Sequence, residues 1–502
     1  MPTSHRFPKV LLRALLSLPT IFALSIPLLL TACGGSASST PSAAKQWTWM
    51  SGSSTLGSKG GQPGVYGTLG TAAASNVPGG RRGSVSWTDG SGNLWLFGGC
   101  GDDSTDTLGD LNDLWEFNPT TKEWIWMSGS STLGANGGQF GVYGTLGTAA
   151  ASNVPGGRIH SVSWTDSSGN LWLFGGSGVI SSGTENDLND LWEFNPTTKE
   201  WMWVSGSSPV GAKGAPSGVY GTLGTAAASN VPGGRQNSVS WTDGSGNLWL
   251  FGGYGNDSTG TFGSLNDLWE FNPSTKMWTW MSGSSTVPSA NGGQPGVYGT
   301  LGTASASNVP GGRAGSVSWT DRSGNLWLFG GGGFDSTDEG GWLNDLWNFN
   351  PSTKMWTWVS GSSRLGVFGQ PGVYGTLGTP SPSNVPGGRQ NSVSWRDSSG
   401  NLWLFGGQGF DSTGTLGSLN DLWEFNPSTK MWTWVSGSST ASENGNGVYG
   451  TLGTASASNV PGSRTYSVSW IDGSGNLWLF GGYGADSTRM QGNLNDLWRY
   501  QP

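Results

Sequence analysis

The hydrophobic positions of this chain gather into four short strings that recur in a fixed order. Leu-Trp-Leu-Phe-Gly-Gly starts at Leu94, Leu171, Leu248, Leu326, Leu402 and Leu477, at steps of 77, 77, 78, 76 and 75 residues. Ser-Val-Ser-Trp precedes each copy, ending at Trp87, Trp164, Trp241, Trp319, Trp395 and Trp470. Asn-Asp-Leu-Trp follows, with its aspartate at Asp113, Asp190, Asp267, Asp345, Asp421 and Asp496. A Trp-x-Trp pair completes five units, from Trp124/Trp126 to Trp432/Trp434, and its sixth copy, Trp47/Trp49, stands ahead of all the others. A period kept this faithfully means one structural unit copied in a row.

Each string predicts a strand, being short, rich in Val, Trp and Phe, and bounded by Gly, Asn, Asp and Pro. Leu94 to Phe97 is apolar on both alternating faces, so both should be covered. Asp89 to Asn93 and Asn118 to Lys122 are turn sequences that join neighbouring strands tightly. The expected fold is all-β: a six-bladed β-propeller of four-stranded antiparallel blades. The last unit stops after its third strand, Asn495 to Tyr500, and Gln46 to Met50 is the fourth strand it lacks. Pairing the N-terminal strand into the last blade would close the ring and remove an open sheet edge. A solenoid would not need that arrangement.

The unit resembles a kelch repeat. In that pattern a hydrophobic run ends in Gly-Gly, and an aromatic residue is followed by six residues and then Trp. Here Leu94 to Phe97 lead into Gly98-Gly99, and Phe117/Trp124 keep the aromatic spacing, as do Phe194/Trp201, Phe271/Trp278, Phe349/Trp356 and Phe425/Trp432. The arginine opening a kelch first strand is matched by Arg82, Arg158, Arg235, Arg313, Arg389 and Arg464. The resemblance covers residues 46 to 502. Phe replaces the usual Tyr except at Tyr500, and the period exceeds the ~50 residues of kelch. The excess lies between the fourth strand and the next first strand, as in Met127 to Gly157, where Gly-Val-Tyr-Gly-Thr-Leu-Gly-Thr recurs. So long and repetitive a connection is expected to be ordered.

Residues 1 to 32 read as a secretory signal: Arg6, Lys9 and Arg13, then an apolar run from Ala14 to Leu30. That run has 17 residues, short of the ~20 a membrane span needs. Leu30-Thr31-Ala32-Cys33 resembles a bacterial lipoprotein cleavage box, which implies palmitate-type lipidation at Cys33, and Gly34 resembles an outer-membrane address. Residues 33 to 45 read as a flexible tether. Without the signal, twenty basic residues face 31 acidic ones, a balance of −11. That excludes nucleic acid, which needs a basic patch. With Cys33 lipidated, Cys100 has no disulfide partner. The repeated tryptophans are expected to be core and inter-blade packing.

Galactose oxidase-type enzymes carry kelch-like repeats, so copper chemistry has to be weighed. His5 lies in the signal and leaves only His160, and one imidazole cannot assemble a copper site, a zinc site or a Ser-His-Asp triad. No metal and no cofactor is expected. The recurrent Asp-Ser-Thr aspartates (Asp103, Asp257, Asp335, Asp411, Asp486) are expected to cap turns, with calcium as the competing reading. The repeated arginines and Asn-Asp aspartates read as structural.

Positions that differ between copies are free to serve something other than the blade. Two clusters differ most. One follows each arginine: Ile159-His160, Gln236-Asn237, Ala314-Gly315, Gln390-Asn391 and Thr465-Tyr466, with Gly83 in a shifted first copy. The other follows Gly-Gly: Cys100, Ser177, Tyr254, Gly332, Gln408 and Tyr483. Antiparallel blades would bring both to one mouth of the central channel, where variable loops on a rigid scaffold bind ligands. The expected function is a non-catalytic scaffold of the cell envelope, lipid-anchored and monomeric, binding a protein or peptide there. A glycan-binding lipoprotein is the second reading. A carbohydrate-active enzyme using paired carboxylates is the third, since no acid pair stands out from the repeat.

Overall fold

A computed structural model describes residues 45–179, 183–208, 214–288, 291–441 and 445–502. The signal and Cys33 lie outside the described residues. Among those, six antiparallel sheets form a closed ring in which the first strand of each blade neighbours the first strands of the two adjacent blades.

Blade one shows the unit. Its first strand comes in two pieces, Arg81–Arg82 and Val85–Thr88. Leu94–Asp102, Leu108–Asn118 and Glu123–Ser128 follow, each paired antiparallel with the one before. Blade six takes its outer strand from the N-terminus, where Gln46–Ser51 pairs with Gln491–Gln501. The closure expected from the displaced Trp-x-Trp pair is therefore the one the ring uses.

The insistence of Leu-Trp-Leu-Phe-Gly-Gly has a packing cause. Leu94 and Leu96 enter the core shared with blade six, beside Trp470, Trp478 and Phe480. Trp95 and Phe97 point the other way, into the core shared with blade two, beside Trp192, Phe194 and Trp201. One strand thus feeds two interfaces, because side chains alternate across a strand. Gly98 and Gly99 form a bulge, with the register shifting between Phe97 and Gly99. Both have positive φ, and a Cβ on Gly98 would lie 3.0 Å from two carbonyl oxygens. Only glycine fits there.

The bulge serves a buried ion pair. Arg81 reaches Asp113 through two parallel bonds, Nη1 to Oδ1 at 2.7 Å and Nη2 to Oδ2 at 2.8 Å. It also donates to the carbonyls of Gly79 and Gly98. Asp113 Oδ2 accepts from Tyr66 Oη at 2.6 Å and from Trp115 Nε1 at 2.7 Å. The ion pair recurs in all six blades with side chains no more than 1% exposed. This corrects one expectation: Arg81, not Arg82, is the blade-one counterpart of Arg158. It alone reaches the aspartate, so the pair after it is Arg82-Gly83 with no shift.

Tyr66 comes from the long connection, which is ordered as expected. It crosses the blade and lies along the outer strand, where Gly70 N donates to Trp126 O and Asn76 Nδ2 to Trp124 O. Ala73 bridges to Trp124, and Ala149–Ala150 pairs fully with Glu200–Ser205 in blade two. The outer edge of each sheet is thereby covered. The Asp-Ser-Thr aspartates cap turns: Asp103 accepts from Thr105 N, Thr105 Oγ1 and Thr107 N, and its other oxygen accepts from Leu133 N in the next connection.

Removing one partner of a buried pair leaves an uncompensated charge. Asp190→Asn should therefore cost about 3–5 kcal/mol, read as a lowered denaturant midpoint by tryptophan fluorescence. An unchanged midpoint would show that the pair does not hold the blade.

Candidate functional site

Between the two pieces of each first strand the chain turns through a left-handed residue. The six are Gly83, His160, Asn237, Gly315, Asn391 and Tyr466, all with φ between 55° and 66°. Their backbones join head to tail around the channel. Gly83 N donates to Tyr466 O, Tyr466 N to Asn391 O, Asn391 N to Gly315 O, Gly315 N to Asn237 O, Asn237 N to His160 O, and His160 N to Gly83 O. The distances run from 2.7 to 3.1 Å, and the circle closes on itself. Glycine and asparagine tolerate this conformation, whereas histidine and tyrosine carry strain in it.

The collar narrows the channel to a cavity of about 130 Å³, lined by all six of these residues and the serines that follow them. His160 and Tyr466 stack on each other at 4.6 Å, across the gap left by Gly83. A Cβ on Gly83 would lie 2.7 Å from the imidazole Cδ2, so glycine makes room for the stack. On the opposite side Asn391 leans over Gly315 in the same way.

The second variable cluster sits beside the first by strand register. Cys100 faces Arg82, Ser177 faces Ile159, Tyr254 faces Gln236, Gln408 faces Gln390 and Tyr483 faces Thr465. The two clusters therefore ring one mouth, but not as equals. His160, Asn237, Asn391 and Tyr466 form the collar. Tyr254, Gln408 and Tyr483 stand exposed on a wider rim, while Ser177 is buried and Cys100 half-buried. Tyr254 packs edge-on against Phe262, and Arg82 lies over the Tyr483 ring at 5.5 Å.

One hydrogen-bonded chain crosses two blades. Gln236 Nε2 donates to Asp187 Oδ1 at 3.1 Å, which leaves Gln236 Oε1 to accept from His160 Nδ1, also at 3.1 Å. The imidazole proton is thereby placed on Nδ1. Nε2 keeps its lone pair and is buried without a partner among the described residues. Burial holds the His160 pKa down to about 4, with the Arg82 charge acting the same way and the Gln236 bond opposing.

Asp187 belongs to a set that the sequence reading passed over. It stands opposite Ser177 in the third strand, and Asp110 stands opposite Cys100 at the same position of blade one. The other four blades carry Ser264, Trp342, Ser418 and Asn493 there. Burial, then the nearby Glu185, pushes the Asp110 carboxyl up to about 7, against the pull of Arg82. Burial raises Asp187 to about 6, opposed by its bond from Gln236. Burial, then Asp106, raises Asp102 to about 6. The Cys100 thiol is pushed up by burial, with Arg82 opposing and the neighbouring acids adding to it. The comparison between copies that picked out His160 would have found Asp110 and Asp187 had it been carried into the third strand. A carboxyl raised to about 7 at Asp110 and an imidazole held neutral at His160 are suited to exchanging protons near neutral pH.

The signs of these shifts differ. Between about 4 and its ordinary 6.5, His160 takes a proton in the unfolded chain but not in the folded one, so it removes stability as pH falls through that range. The raised carboxyls keep protons in the folded chain, so they remove stability as pH rises from the ordinary 3.8 toward 6 or 7. His160 is the one histidine beyond residue 5, so its imidazole resonance is unambiguous. The resonance should stay in its neutral position from pH 7.5 down to about 5; a midpoint near the ordinary value would show an open, solvated ring.

No family model matches the chain. It is similar to N-acetylneuraminate epimerases of three Escherichia coli strains (O1:K1, O6:K15:H31 and UTI89), at 27% identity over 153 residues. The match covers 26% of this chain and spans 37% of those relatives' length. Among solved structures it is similar to one titled "Structure of YjhT", with a TM-score of 0.47, 16% identity, and coverage of 84% of this chain and 95% of that one. The six-bladed propeller with kelch-type blades is borne out. The expectation of a non-catalytic scaffold, not an enzyme, binding a protein or peptide is corrected: the matched relatives are named as enzymes acting on a sugar. The expectation rested on the kelch resemblance and on finding no catalytic residues, a pair of acids among them. That search failed because Asp110 and Asp187 stand far apart in sequence and are brought to one rim only when the blades close.

Proposed function

We propose that the chain is a carbohydrate-active enzyme that moves protons on a sugar held at the collar mouth. The observation that carries this reading is the His160–Gln236–Asp187 chain, which joins blades two and three, together with Asp110 at the rim position of blade one that Asp187 occupies in blade two. The name of the matched relatives supports N-acetylneuraminate or a similar amino-sugar acid as the substrate class. Epimerisation at an anomeric carbon needs a base for the hydroxyl proton and an acid for the ring oxygen, after which the open chain recloses on its other face. His160 Nε2 is the base in this reading and the Asp110 carboxyl the acid, with Asp187 holding the imidazole through Gln236. Nε2 is fully buried with Gly83 against its edge of the ring, so the collar has to open at Gly83 when substrate enters.

The N-terminal pattern supports export and lipid attachment at Cys33, which would place this activity at the cell envelope. Cys33→Ser should abolish labelling of the expressed chain by radioactive palmitate; full labelling of that variant would remove the lipoprotein reading.

Residues 45–502 should accelerate the interconversion of N-acetylneuraminate anomers followed by proton NMR. His160→Gln and Asp110→Asn should each lower kcat by roughly 10²–10⁴-fold. Sugar binding without turnover would leave glycan binding as the function, and neither binding nor turnover would overturn the assignment.

A further inference from the structure

A second, wider cavity than that of the collar lies at the other mouth, where the first strands end. It measures about 730 Å³ and is lined by Ser-Trp-Thr of four blades and by the equivalent residues of blades five and six. This is within the size range of small-molecule sites, and nothing in the collar chemistry uses it.

The wall is made of strand edges. Each first strand pairs with a second strand on one side only, so its inner edge faces the channel. Ser86, Thr88 and their counterparts point their carbonyls that way, because each serine hydroxyl donates to the serine carbonyl of the preceding blade at 3.0–3.1 Å. That ring closes through all six blades. In an antiparallel strand a residue's N–H leaves on the same edge as its C=O. The wall therefore presents amide donors as well as hydroxyl oxygens.

A second ring, of threonines, runs below the first and is broken. Thr88, Thr165, Thr242 and Thr320 each donate Oγ1 to the equivalent carbonyl of the preceding blade at 3.1–3.3 Å. The next two positions are Arg396 and Ile471. Neither has a hydroxyl, so the carbonyls of Thr320 and Arg396 lack the donor that the pattern supplies elsewhere. Arg396 is exposed and, among the described residues, has no ion-pair partner. The nearby acids are engaged within their own turns. Asp397 accepts from Asn401 N, Asn401 Nδ2 and Trp403 Nε1. Asp472 accepts from Ser474 N, Asn476 N, Asn476 Nδ2 and Trp478 Nε1.

We infer that this second mouth is a binding site for an acidic sugar, with the sugar carboxylate on the Arg396 guanidinium and its hydroxyls on the Thr320 and Arg396 carbonyls. A guanidinium takes a carboxylate through paired charge-assisted bonds. The aspartates of the six turns around this mouth oppose a bare anion, so the hydroxyl contacts are needed as well. The site is independent of the collar mouth and does not depend on the activity proposed there.

Titration calorimetry of residues 45–502 with D-glucuronate, D-glucose and inorganic phosphate tests this. Glucuronate should bind at millimolar concentration or better, and glucose and phosphate at least about ten-fold more weakly. Arg396→Thr installs the residue that four blades already carry, so the blade has an internal precedent for folding. It should weaken glucuronate about ten-fold or more, with the melting temperature kept and the anomer interconversion rate unchanged. Arg396→Gln should weaken binding similarly. Equal glucuronate affinity in both variants, absence of glucuronate binding, or phosphate binding as tightly as glucuronate would each overturn the site. Loss of turnover in His160→Gln bears only on the collar mouth, so the two readings fail separately.

Discussion

Each blade is organised around a guanidinium that water cannot reach. Arg81 and its five counterparts tie the first strand to the third through a two-pronged bond to aspartate, and the same aspartate holds a tyrosine from the long connection and a tryptophan from its own strand. Taking both charges out of water is unfavourable by itself, and only dense hydrogen bonding offsets it. That requirement explains why so much of the repeat is invariant between copies. The Gly-Gly bulge has to offer a carbonyl to the arginine, and the connection has to deliver its tyrosine. An arginine anchored at this point also fixes where the strand breaks, two residues later, into the collar.

The collar shows how symmetry and function are divided. Its backbone circle treats all six blades alike and consumes one N–H and one C=O from each. Its side chains are free to differ, and they do: two glycines open space that His160, Tyr466 and Asn391 fill. Strain at His160 and Tyr466 is supported by a ring that over-determines the backbone. The same division appears at the other mouth, where a complete serine ring lies above a threonine ring broken by Arg396 and Ile471. Along the channel, asymmetry gathers at the two ends, while the aromatic cores between blades largely repeat.

Much of the candidate site was legible in the chain, because comparing six copies separates positions that serve the blade from those that do not. His160, Asn237, Asn391 and Tyr466 emerged that way and share one cavity. Asp110 and Asp187 did not, since the comparison stopped at the residues next to Gly-Gly, and the third strand brings its own variable position alongside them. Reading Arg82 for Arg81 had a similar origin. Two adjacent arginines are equivalent as letters, and only the reach to Asp113 distinguishes them.

By itself the sequence determined the blade count, the strand order and the closure by Gln46–Ser51, because a period of about 77 residues and a displaced fourth strand leave no other ring. It also determined that the repeated tryptophans pack the cores between blades, although the second of each Trp-x-Trp pair stays half-buried. The tertiary structure alone decided which differences between copies meet. His160, Gln236 and Asp187 form one chain only because neighbouring blades close at a definite angle and register. The raised carboxyls likewise depend on burial at a rim that no single unit possesses. Periodicity is a property of each unit, whereas proximity and desolvation are properties of the assembled ring.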